Sequence, residues 1–215
     1  MRNLLRGLAW VLLVVALIVG GLRALALRWW QVPTDDPFLE ASVSPTLSPG
    51  DWILLWRATA PKFGDLVLCP EPGAPARVVI GRIAAEEGQD VRVEGEHIYL
   101  DDRKIPNERA CDPATFTVAD PNSGSLDTMS CDEEALASGT HKRGVARGAV
   151  AQPHVRANLR VPKGKVYLVS DNRKYPYDSR DFGTVPRETC KEHVFFRVMG
   201  VQGLGDVATR FTTLR

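Results

Sequence analysis

The sequence predicts a mostly β protein: a single N-terminal transmembrane helix followed by an antiparallel β ectodomain that carries a smaller inserted β or loop region. Residues 7–22 contain no charged side chain, which is typical of a helix embedded in a membrane. Beyond them, short runs rich in Val, Ile, Leu and Tyr alternate with turn-forming residues, as strands do. Because no later segment has a long, capped period of 3.6 residues, helices are not expected to build the domain.

Residues 1–30 are interpreted as a membrane anchor. At about 1.5 Å per residue, the uncharged segment covers ~24 Å of a ~30 Å hydrocarbon core. If Arg23 snorkels, the apolar stretch extends to Leu27 and spans the core, with Trp29 and Trp30 at the interface. The alternative is a cleavable secretory signal with its A-x-A site at residues 24–26.

Both interpretations place the chain after Trp30 on the far side of a membrane. The positive-inside rule slightly favours an N-terminus inside the cell. The expected location is therefore the cell (inner) membrane, crossed once, with the β domain on the extracytoplasmic side. The lipid bilayer is then a direct partner of the chain, whereas the sequence leaves the oligomeric state open.

After the anchor, Pro33, Pro37 and two aspartates in residues 31–38 predict a short linker. The main β domain is expected over residues 39–105 and 163–215. Its predicted strands cover residues 51–56, 65–69, 77–83, 90–93, 97–100, 165–170 and 194–201. Between them, the strand pattern weakens in residues 106–162, which are interpreted as a variable insertion in which 132–138 form a helical turn or two.

The composition excludes several classes of protein. With 44% hydrophobic and 25% charged residues the chain is ordinary globular protein, and a formal net charge of +1 gives no basic surface for nucleic acid. No metal or other cofactor is predicted, because the four cysteines form no C-x-x-C motif. Disulfides are favoured, with Cys111–Cys131 and Cys69–Cys190 as candidate pairs, but four cysteines allow three pairings and buried free thiols remain the alternative.

Four short sequence blocks suggest a more specific assignment: SVSPTL at 42–47, GDLV at 64–67, VIGR at 79–82, and SDNR at 170–173 with DSRDFG at 178–183. In this order behind an anchor, they resemble the signal peptidase I family. The first block of that family reads Ser, Met, any residue, Pro, Thr, Leu, and its last reads Gly-Asp-Asn-Arg with a downstream Asp-Ser-Arg. The resemblance covers nearly the whole chain, and the insertion lies where the family carries a second, variable β domain.

The resemblance implies a β domain that lies on the outer membrane surface and removes signal peptides from exported preproteins, using a serine nucleophile and a neutral lysine as base. Ser42 matches the nucleophile. Gly81, directly before Arg82, occupies the position of the lysine and has no side chain to accept a proton. Arg82 cannot replace the lysine, because a guanidinium stays protonated in proteins. Lys174 is the one lysine inside a motif block, and a relocated base is assigned to it as a hypothesis.

Other positions also depart from the family pattern in ways that weaken the catalytic arrangement. Glu40 stands where some members supply a hydroxyl to the oxyanion, and Pro176 replaces the serine that supports the lysine. Val43 replaces the motif methionine, and Ser170 replaces the first glycine of the last block. These changes favour loss of catalysis, since a serine hydroxyl is a poor nucleophile without a base.

The remaining motif residues are expected to bind substrate or support the site: Val43, Pro45, Arg82, Asp171, Asn172, Arg173, Asp178, Ser179 and Arg180. Charge-assisted hydrogen bonds among the charged ones are expected to hold the loop under Ser42. The four histidines, at positions 97, 141, 154 and 193, match no motif position and are interpreted as surface or structural residues.

Two main hypotheses follow. The first is a membrane-bound serine endopeptidase of signal peptidase type that cleaves signal peptides and is impaired by the missing lysine. The alternative is an inactive pseudo-peptidase that acts as a membrane-tethered binding module. A third is a soluble β protein released by its own signal.

Overall fold

The computed structural model describes residues 2–137, 139–147 and 158–214, so His154 lies outside the described part of the chain. Its helices are α1, Arg2–Leu25; α2, Pro37–Ser42; and α3, Ser179–Phe182, and a 3-10 turn covers Arg187–Thr189. The strands are β1 Leu27–Gln31, β2 Trp52–Trp56, β3 Leu66–Glu71, β4 Ala74–Glu86, β5 Asp90–Glu94, β6 His97–Leu100, β7 Arg103–Lys104, β8 Asn107–Ala119, β9 Leu126–Leu136, β10 Gly139–Val145, β11 Leu159–Arg160, β12 Lys165–Val169, β13 Val185–Pro186, β14 Glu192–Met199 and β15 Thr212–Thr213. The mostly antiparallel β fold predicted from the sequence is confirmed.

The N-terminal helix α1 stands apart from the β domain. Among the described residues it supplies the one helix long and apolar enough to cross a membrane, Arg6–Arg23, and none of that stretch is buried against the rest of the chain. The helix ends at Leu25, and β1 begins after a single residue. Trp29 and Trp30 therefore lie in a strand that pairs with β2, rather than in an extension of the anchor.

The main sheet has eight strands in the order β1-β2-β14-β3-β4-β12-β13, with β15 paired to β14. Successive side chains of a strand point to opposite faces, and β3 shows the result. Leu66 and Leu68 join the apolar cluster that includes Leu39, whereas Val67 and Cys69 join a separate cluster on the other face. The sheet is therefore buried on both faces near its centre.

All seven predicted strands are present, within a few residues of their expected ends. The linker is more regular than expected, because Gln31 ends β1 and α2 begins at Pro37. Proline fits the first turn of a helix, and the Asp36 carboxylate accepts hydrogen bonds from the N–H groups of Phe38 and Leu39, each at 3.2 Å. Proline and aspartate disfavour the interior of a helix, but here they lie at the start of one, where both are favourable.

The inserted region forms long strands. β8, β9 and β10 make a separate three-stranded sheet. The short strand β11, which also lies within residues 106–162, joins a third sheet of order β11-β5-β6-β7, whose other strands precede the insertion. The helical turn predicted over residues 132–138 is wrong, because β9 continues to Leu136 and pairs with β8 and β10 on its two sides. Pairing on both edges gives hydrogen-bond partners to the backbone N–H and C=O groups of this acidic stretch. Local residue propensity alone does not predict a strand there.

The structure joins the four cysteines in two disulfides. Cys69 bonds to Cys190, across a sequence separation of 121 residues, and Cys111 bonds to Cys131, across 20 residues. The first connects β3 to the segment before β14 within the main sheet. The second connects β8 to β9 inside the inserted sheet.

Candidate functional site

Helix α2 carries the serine that the sequence selects as a nucleophile. Leu39 packs in the main core, Ala41 packs under the inserted sheet, and Ser42 is the last residue of the helix. Val43 follows as the C-cap and is buried in the main core, so an apolar residue is retained where the family has methionine. These contacts fix the end of α2 between the two sheets.

The Ser42 side chain points back into its own helix. Ser42 is fully buried, with 0% of its surface exposed, and its hydroxyl donates a hydrogen bond of 2.9 Å to the Leu39 carbonyl. The Ser42 carbonyl accepts a hydrogen bond from the Asn172 N–H at 3.0 Å, and the Asn172 amide donates to the Ala41 carbonyl at 2.9 Å. Asn172 thus joins the last sequence block to the end of α2.

The inserted sheet covers this end of α2. Ala41 forms an apolar cluster with Val118 of β8 and Met129 of β9, and Phe116 and Tyr175 pack against them. Thr46 also reaches the inserted sheet, because its hydroxyl donates to the Lys142 carbonyl at 3.3 Å. The inserted sheet therefore contacts residues on both sides of Ser42 in the chain, Ala41 and Thr46.

Gly81 lies in β4 opposite Val67 of β3. A Cβ atom at this position would lie 3.3 Å from the Leu168 Cβ and 3.3 Å from the Val169 carbonyl oxygen. Both distances are shorter than ordinary van der Waals contact, so any side chain here requires β12 to shift by a few tenths of an ångström. The space that a lysine needs at this point is therefore partly occupied.

Arg82, the next residue, forms a buried ion pair. Its Nε and one terminal nitrogen donate to the two Asp171 carboxylate oxygens at 2.7 and 3.1 Å, and its other nitrogen donates to the Gly64 carbonyl at 3.2 Å. The bidentate geometry fits the planar guanidinium. This pair connects three of the four sequence blocks and gives Arg82 a structural position.

Lys174, the candidate for a relocated base, is bound to a carboxylate of the inserted sheet. Its Nζ donates to Asp127, and the same nitrogen lies 4.9 Å from the centre of the Tyr175 ring. The hydrogen bond to Asp127 raises the pKa of Lys174 above its usual value. A lysine that holds its proton more firmly than usual is a poor general base near neutral pH.

Asp178 and Arg180 hold the loop that follows Asn172. Asp178 caps α3 and pairs with the Arg180 guanidinium at 2.7 Å, and it also accepts a 2.7 Å hydrogen bond from the Ser170 N–H. The Ser179 hydroxyl accepts a hydrogen bond of 2.9 Å from the Leu168 N–H. These contacts attach the loop to β12 and fix the backbone on either side of Pro176.

Glu40 and Pro45 complete the motif positions. Burial, reinforced by the carboxylates of Asp36 and Asp35, raises the pKa of Glu40 above its usual value. Pro45 lies against Gly144, where a Cβ atom would be 3.5 Å from the proline ring and 2.5 Å from Phe116. A side chain at position 144 therefore requires the Phe116 ring to move. The Gly144 N–H donates to the Asp171 carbonyl and the Gly144 carbonyl accepts from the Arg173 N–H, each at 2.8 Å.

A buried charge cluster behind the site was not identified from the sequence. Glu134 of β9 is fully buried and contacts the guanidinium groups of Arg173 and Arg143, the latter at 3.3 Å. His141 of β10 lies between two carboxylates, with its Nε2 atom 3.4 Å from Glu134 and 3.7 Å from Asp171. We call Glu134, His141, Arg143, Arg173 and Asp171 the buried charge cluster. No local signal marks Glu134, because it stands in an acidic run whose burial depends on arginines from distant segments.

Burial and the neighbouring charges shift the pKa values of two members of the cluster. Burial alone would raise the pKa of Glu134, but the charges of Arg173, His141 and Arg143 outweigh it and lower that pKa from 4.5 to about 2. Burial, reinforced by the charge of Arg82, lowers the pKa of His141 below 6.5. Within the described residues, no three His, Cys, Asp or Glu side chains are grouped to hold a metal ion.

These shifts predict that the protein is labile in acid. The depressed pKa of His141 contributes stability that is lost as the pH falls below 6.5, because the unfolded chain then binds a proton that the folded chain excludes. The depressed pKa of Glu134 contributes about 3 kcal/mol, by order of magnitude, that is lost as the pH falls from 4.5 towards about 2. Urea unfolding at a series of pH values checks both. A free energy of unfolding that stays constant or rises on acidification would contradict this prediction.

Comparison with known proteins gives consistent results. The family model described as "Signal peptidase, peptidase S26" matches residues 5–199. The chain is 27% identical to Signal peptidase I V of Bacillus subtilis (strain 168) over 149 residues, which is 67% of this chain and 73% of the relative. It is 23% identical to Probable signal peptidase I-1 of Synechocystis sp. (strain ATCC 27184 / PCC 6803 / Kazusa) over 214 residues, 92% of this chain and 85% of the relative.

A crystal structure of a signal peptidase I from Enterococcus faecalis V583 is also similar, with 19% identity and a TM-score of 0.38 over 63% of this chain and 97% of that one. The family model spans most of the 215 residues, from within α1 to the end of β14. The chain therefore belongs to the signal peptidase family, peptidase S26.

Proposed function

We propose that this chain is a membrane-anchored signal peptidase homologue that binds the signal peptides of exported preproteins without cleaving them. The observation that supports the absence of cleavage is the state of Ser42. Its hydroxyl is buried and bonded to the Leu39 carbonyl of its own helix. A nucleophile needs a base within hydrogen-bond reach and an open path to the scissile carbonyl, and this arrangement supplies neither.

The positions around Ser42 support the same proposal. In the family pattern the base belongs at Gly81, which has no side chain, and Arg82 is committed to Asp171. The ammonium of Lys174 is bound to Asp127 and has a raised pKa. Loss of one member of a nucleophile and base pair costs several orders of magnitude in rate.

Peptide binding is supported by an unpaired strand edge. β4 pairs with β3 along most of its length, but β12 pairs with β4 only from Arg82 onwards. In the ladders of the described residues, the edge of β4 at 75–81 therefore has no second strand. An extended peptide can add to such an edge through main-chain hydrogen bonds, and the relatives named above are signal peptidases.

The anchor and the domain division are part of this proposal. We propose that α1 crosses the inner membrane once, with the β domain on the extracytoplasmic side. Its disulfides are consistent with an oxidising compartment. The proposed units are the anchor at 1–30, the linker at 31–38, the main β domain at 39–105 and 163–215, and the insertion at 106–162.

A second candidate is an active endopeptidase with an unconventional base. It is favoured by the retention of Ser42 beside a loop that Asn172, Asp178 and Arg180 still hold in place. For this function the Ser42 hydroxyl has to leave the Leu39 carbonyl and become accessible, and Lys174 has to leave Asp127. The two candidates differ in turnover and are separated by a direct assay.

We expect that purified full-length protein in detergent does not cleave a preprotein that carries a signal peptide, and that Ser42→Ala behaves identically. The reason is the buried hydroxyl without a base. Cleavage is followed by gel electrophoresis, and anisotropy of a labelled signal peptide measures binding, which is expected to be equal in both proteins. Circular dichroism shows that both are folded. Cleavage that Ser42→Ala abolishes would refute the proposal in favour of the second candidate.

Gly81→Lys serves as the companion variant in this assay. Restoring the lysine alone is expected to leave cleavage undetected, because the Ser42 hydroxyl stays bonded to Leu39 and the new side chain presses on β12. The double variant with Ser42→Ala is its matched control. A gain of cleavage that depends on Ser42 would mean that the protein lacks only its base, and that burial of the Ser42 hydroxyl does not prevent catalysis.

A further inference from the structure

A small cavity of about 230 Å³ lies between α2, the 44–49 segment and strand β8 of the inserted sheet. Its walls contain one charged side chain, that of Glu40, and five residues that are apolar. The remaining three lining residues carry hydroxyl groups: Ser44, Ser48 and Thr117. We call it the Glu40 cavity. None of its lining residues belongs to the buried charge cluster.

The Glu40 carboxylate has no cation beside it. Among the residues that the structure describes, it takes part in no ion pair and accepts no hydrogen bond. Burial and the carboxylates of Asp36 and Asp35 raise the pKa of Glu40, and no neighbouring positive charge lowers it. Asp36 differs in this respect, because Arg77 pairs with it at 3.2 Å. A partly buried carboxylate near like charges is unfavourable when ionised, and a cation in the cavity would relieve this.

The shape of the lining selects the kind of cation. Ala41 and Val118 are buried and belong to one apolar cluster, and both line the cavity. Lysine and arginine place their methylene groups along such a surface while the charged end reaches a polar group. A divalent metal ion is disfavoured, because it prefers six or more oxygen ligands. The described residues contain no group of three His, Cys, Asp or Glu side chains that could hold one.

The cavity adjoins the peptide site proposed above. Ala41, which lines it, directly precedes Ser42 in the chain. Leu39 and Val43 lie on another face of α2, in the core cluster that contains Ile80 of β4. The helix therefore separates the cavity from β4. A peptide that lies along the edge of β4 and continues past the end of α2 reaches the cavity with a residue outside the part that pairs with β4.

We propose that the Glu40 cavity binds one lysine or arginine side chain of the exported polypeptide. The cationic group would donate to the Glu40 carboxylate and to the hydroxyl oxygen of Ser48, and its methylene groups would contact Ala41 and Val118. A carboxylate that opposes a developing oxyanion attracts a cation, so the departure from the family pattern at position 40 then has a binding role. The inference rests on the proposed peptide binding and adds a sequence preference to it.

The test uses full-length protein in detergent and fluorescent peptides that contain a signal sequence and the residues after it. A single lysine is moved through successive positions of an otherwise neutral segment, and anisotropy gives the Kd of each peptide. At one position, lysine is expected to lower the Kd on the order of tenfold relative to norleucine, because a charge-assisted hydrogen bond in a partly buried site is stronger than an exposed ion pair. Glu40→Gln is expected to remove this difference and to bind the norleucine peptide as the unmodified protein does.

Two further variants separate the cavity from general electrostatic attraction. Thr117→Lys places an ammonium group in the cavity wall and is expected to abolish the preference while Glu40 is retained. Glu108→Gln is the matched control, because it makes the same substitution at an exposed residue of β8 outside the cavity, and it should keep the preference. Circular dichroism shows that all variants are folded.

An equal loss of preference in Glu40→Gln and Glu108→Gln would overturn the inference in favour of diffuse attraction, as would an equal effect of lysine at every position. Lysine and norleucine peptides that bind equally well at all positions would overturn the inference alone and leave the proposed peptide binding intact. Failure of every peptide to bind would overturn the proposed function, and the inference with it.

Discussion

Replacing Glu134 with glutamine is expected to lower the free energy of unfolding by about 3–5 kcal/mol near neutral pH. Glu134 is the buried carboxylate that Arg173 and Arg143 share, and both guanidinium groups are almost fully buried themselves. Removing one partner of a buried ion pair leaves the other charge without compensation in a medium of low dielectric constant. The midpoint and slope of a urea unfolding curve give the value.

The neighbouring residue supplies the control for this prediction. Glu133 pairs at 3.0 Å with Arg109, whose side chain is 75% exposed, so Glu133→Gln is expected to change stability by less than about 1 kcal/mol. The Glu134 variant should in addition lose much of the acid-dependent instability below pH 4.5, because the carboxylate responsible is absent. Equal effects of the two substitutions would show that the buried charge cluster does not stabilise the fold.

The second large effect is expected from the long-range disulfide. Replacing Cys69 and Cys190 together by serine should cost about 4–5 kcal/mol, since the bond closes a loop of 121 residues and restricts the unfolded chain. Both cysteines also lie in the buried apolar cluster that contains Val67, so serine hydroxyls there add an unfavourable burial. Denaturant unfolding of the double variant measures the loss.

The other disulfide is the natural comparison. Cys111 and Cys131 close a loop of only 20 residues, for which the same reasoning gives about 3 kcal/mol. Replacing this pair by serine is expected to lower the free energy of unfolding less than replacing Cys69 and Cys190. The destabilised part should be the inserted sheet, which contains both Cys111 and Cys131. If the short-range pair proved the more important for stability, loop entropy would not be the main contribution of these bonds.

The proposed loss of catalysis combines two kinds of evidence. The residue at position 81 is a local fact, and glycine lacks a base whatever its surroundings are. The burial of Ser42 is a tertiary fact, because Ser42 is fully buried at the end of α2, where Ala41 packs against Val118 and Met129 of the inserted sheet. Its hydroxyl there bonds to the Leu39 carbonyl of the same helix. Both independently oppose a serine and lysine mechanism, which is why Gly81→Lys alone is not expected to restore it.

The position of Trp29 and Trp30 could not be predicted from the residues around them. Their distance from the apolar segment predicts an interfacial aromatic belt, but they form β1 and pair with Trp52–Trp56 of β2. An aromatic pair after an anchor suits an interface and a strand equally well. These residues form a strand because they pair with β2, which lies more than twenty residues further along the chain. The local sequence contains no information about that partner.

The sequence by itself determined the features that depend on nearby residues. The period of two located the strands, the uncharged segment located the helix able to span a membrane, and the order of four blocks indicated the family to which the chain belongs. Those signals are local because side-chain alternation and helix length are properties of a few consecutive residues.

The tertiary structure alone decided which distant groups meet. It paired the cysteines, buried the Ser42 hydroxyl, and assembled Glu134, His141 and Arg173 from the inserted sheet and the last motif block. Burying these charges is favourable only when all of them meet, because each alone would lose its hydration without compensation. Such an arrangement leaves no mark on the residues adjacent to any one member, and so only the folded chain reveals it.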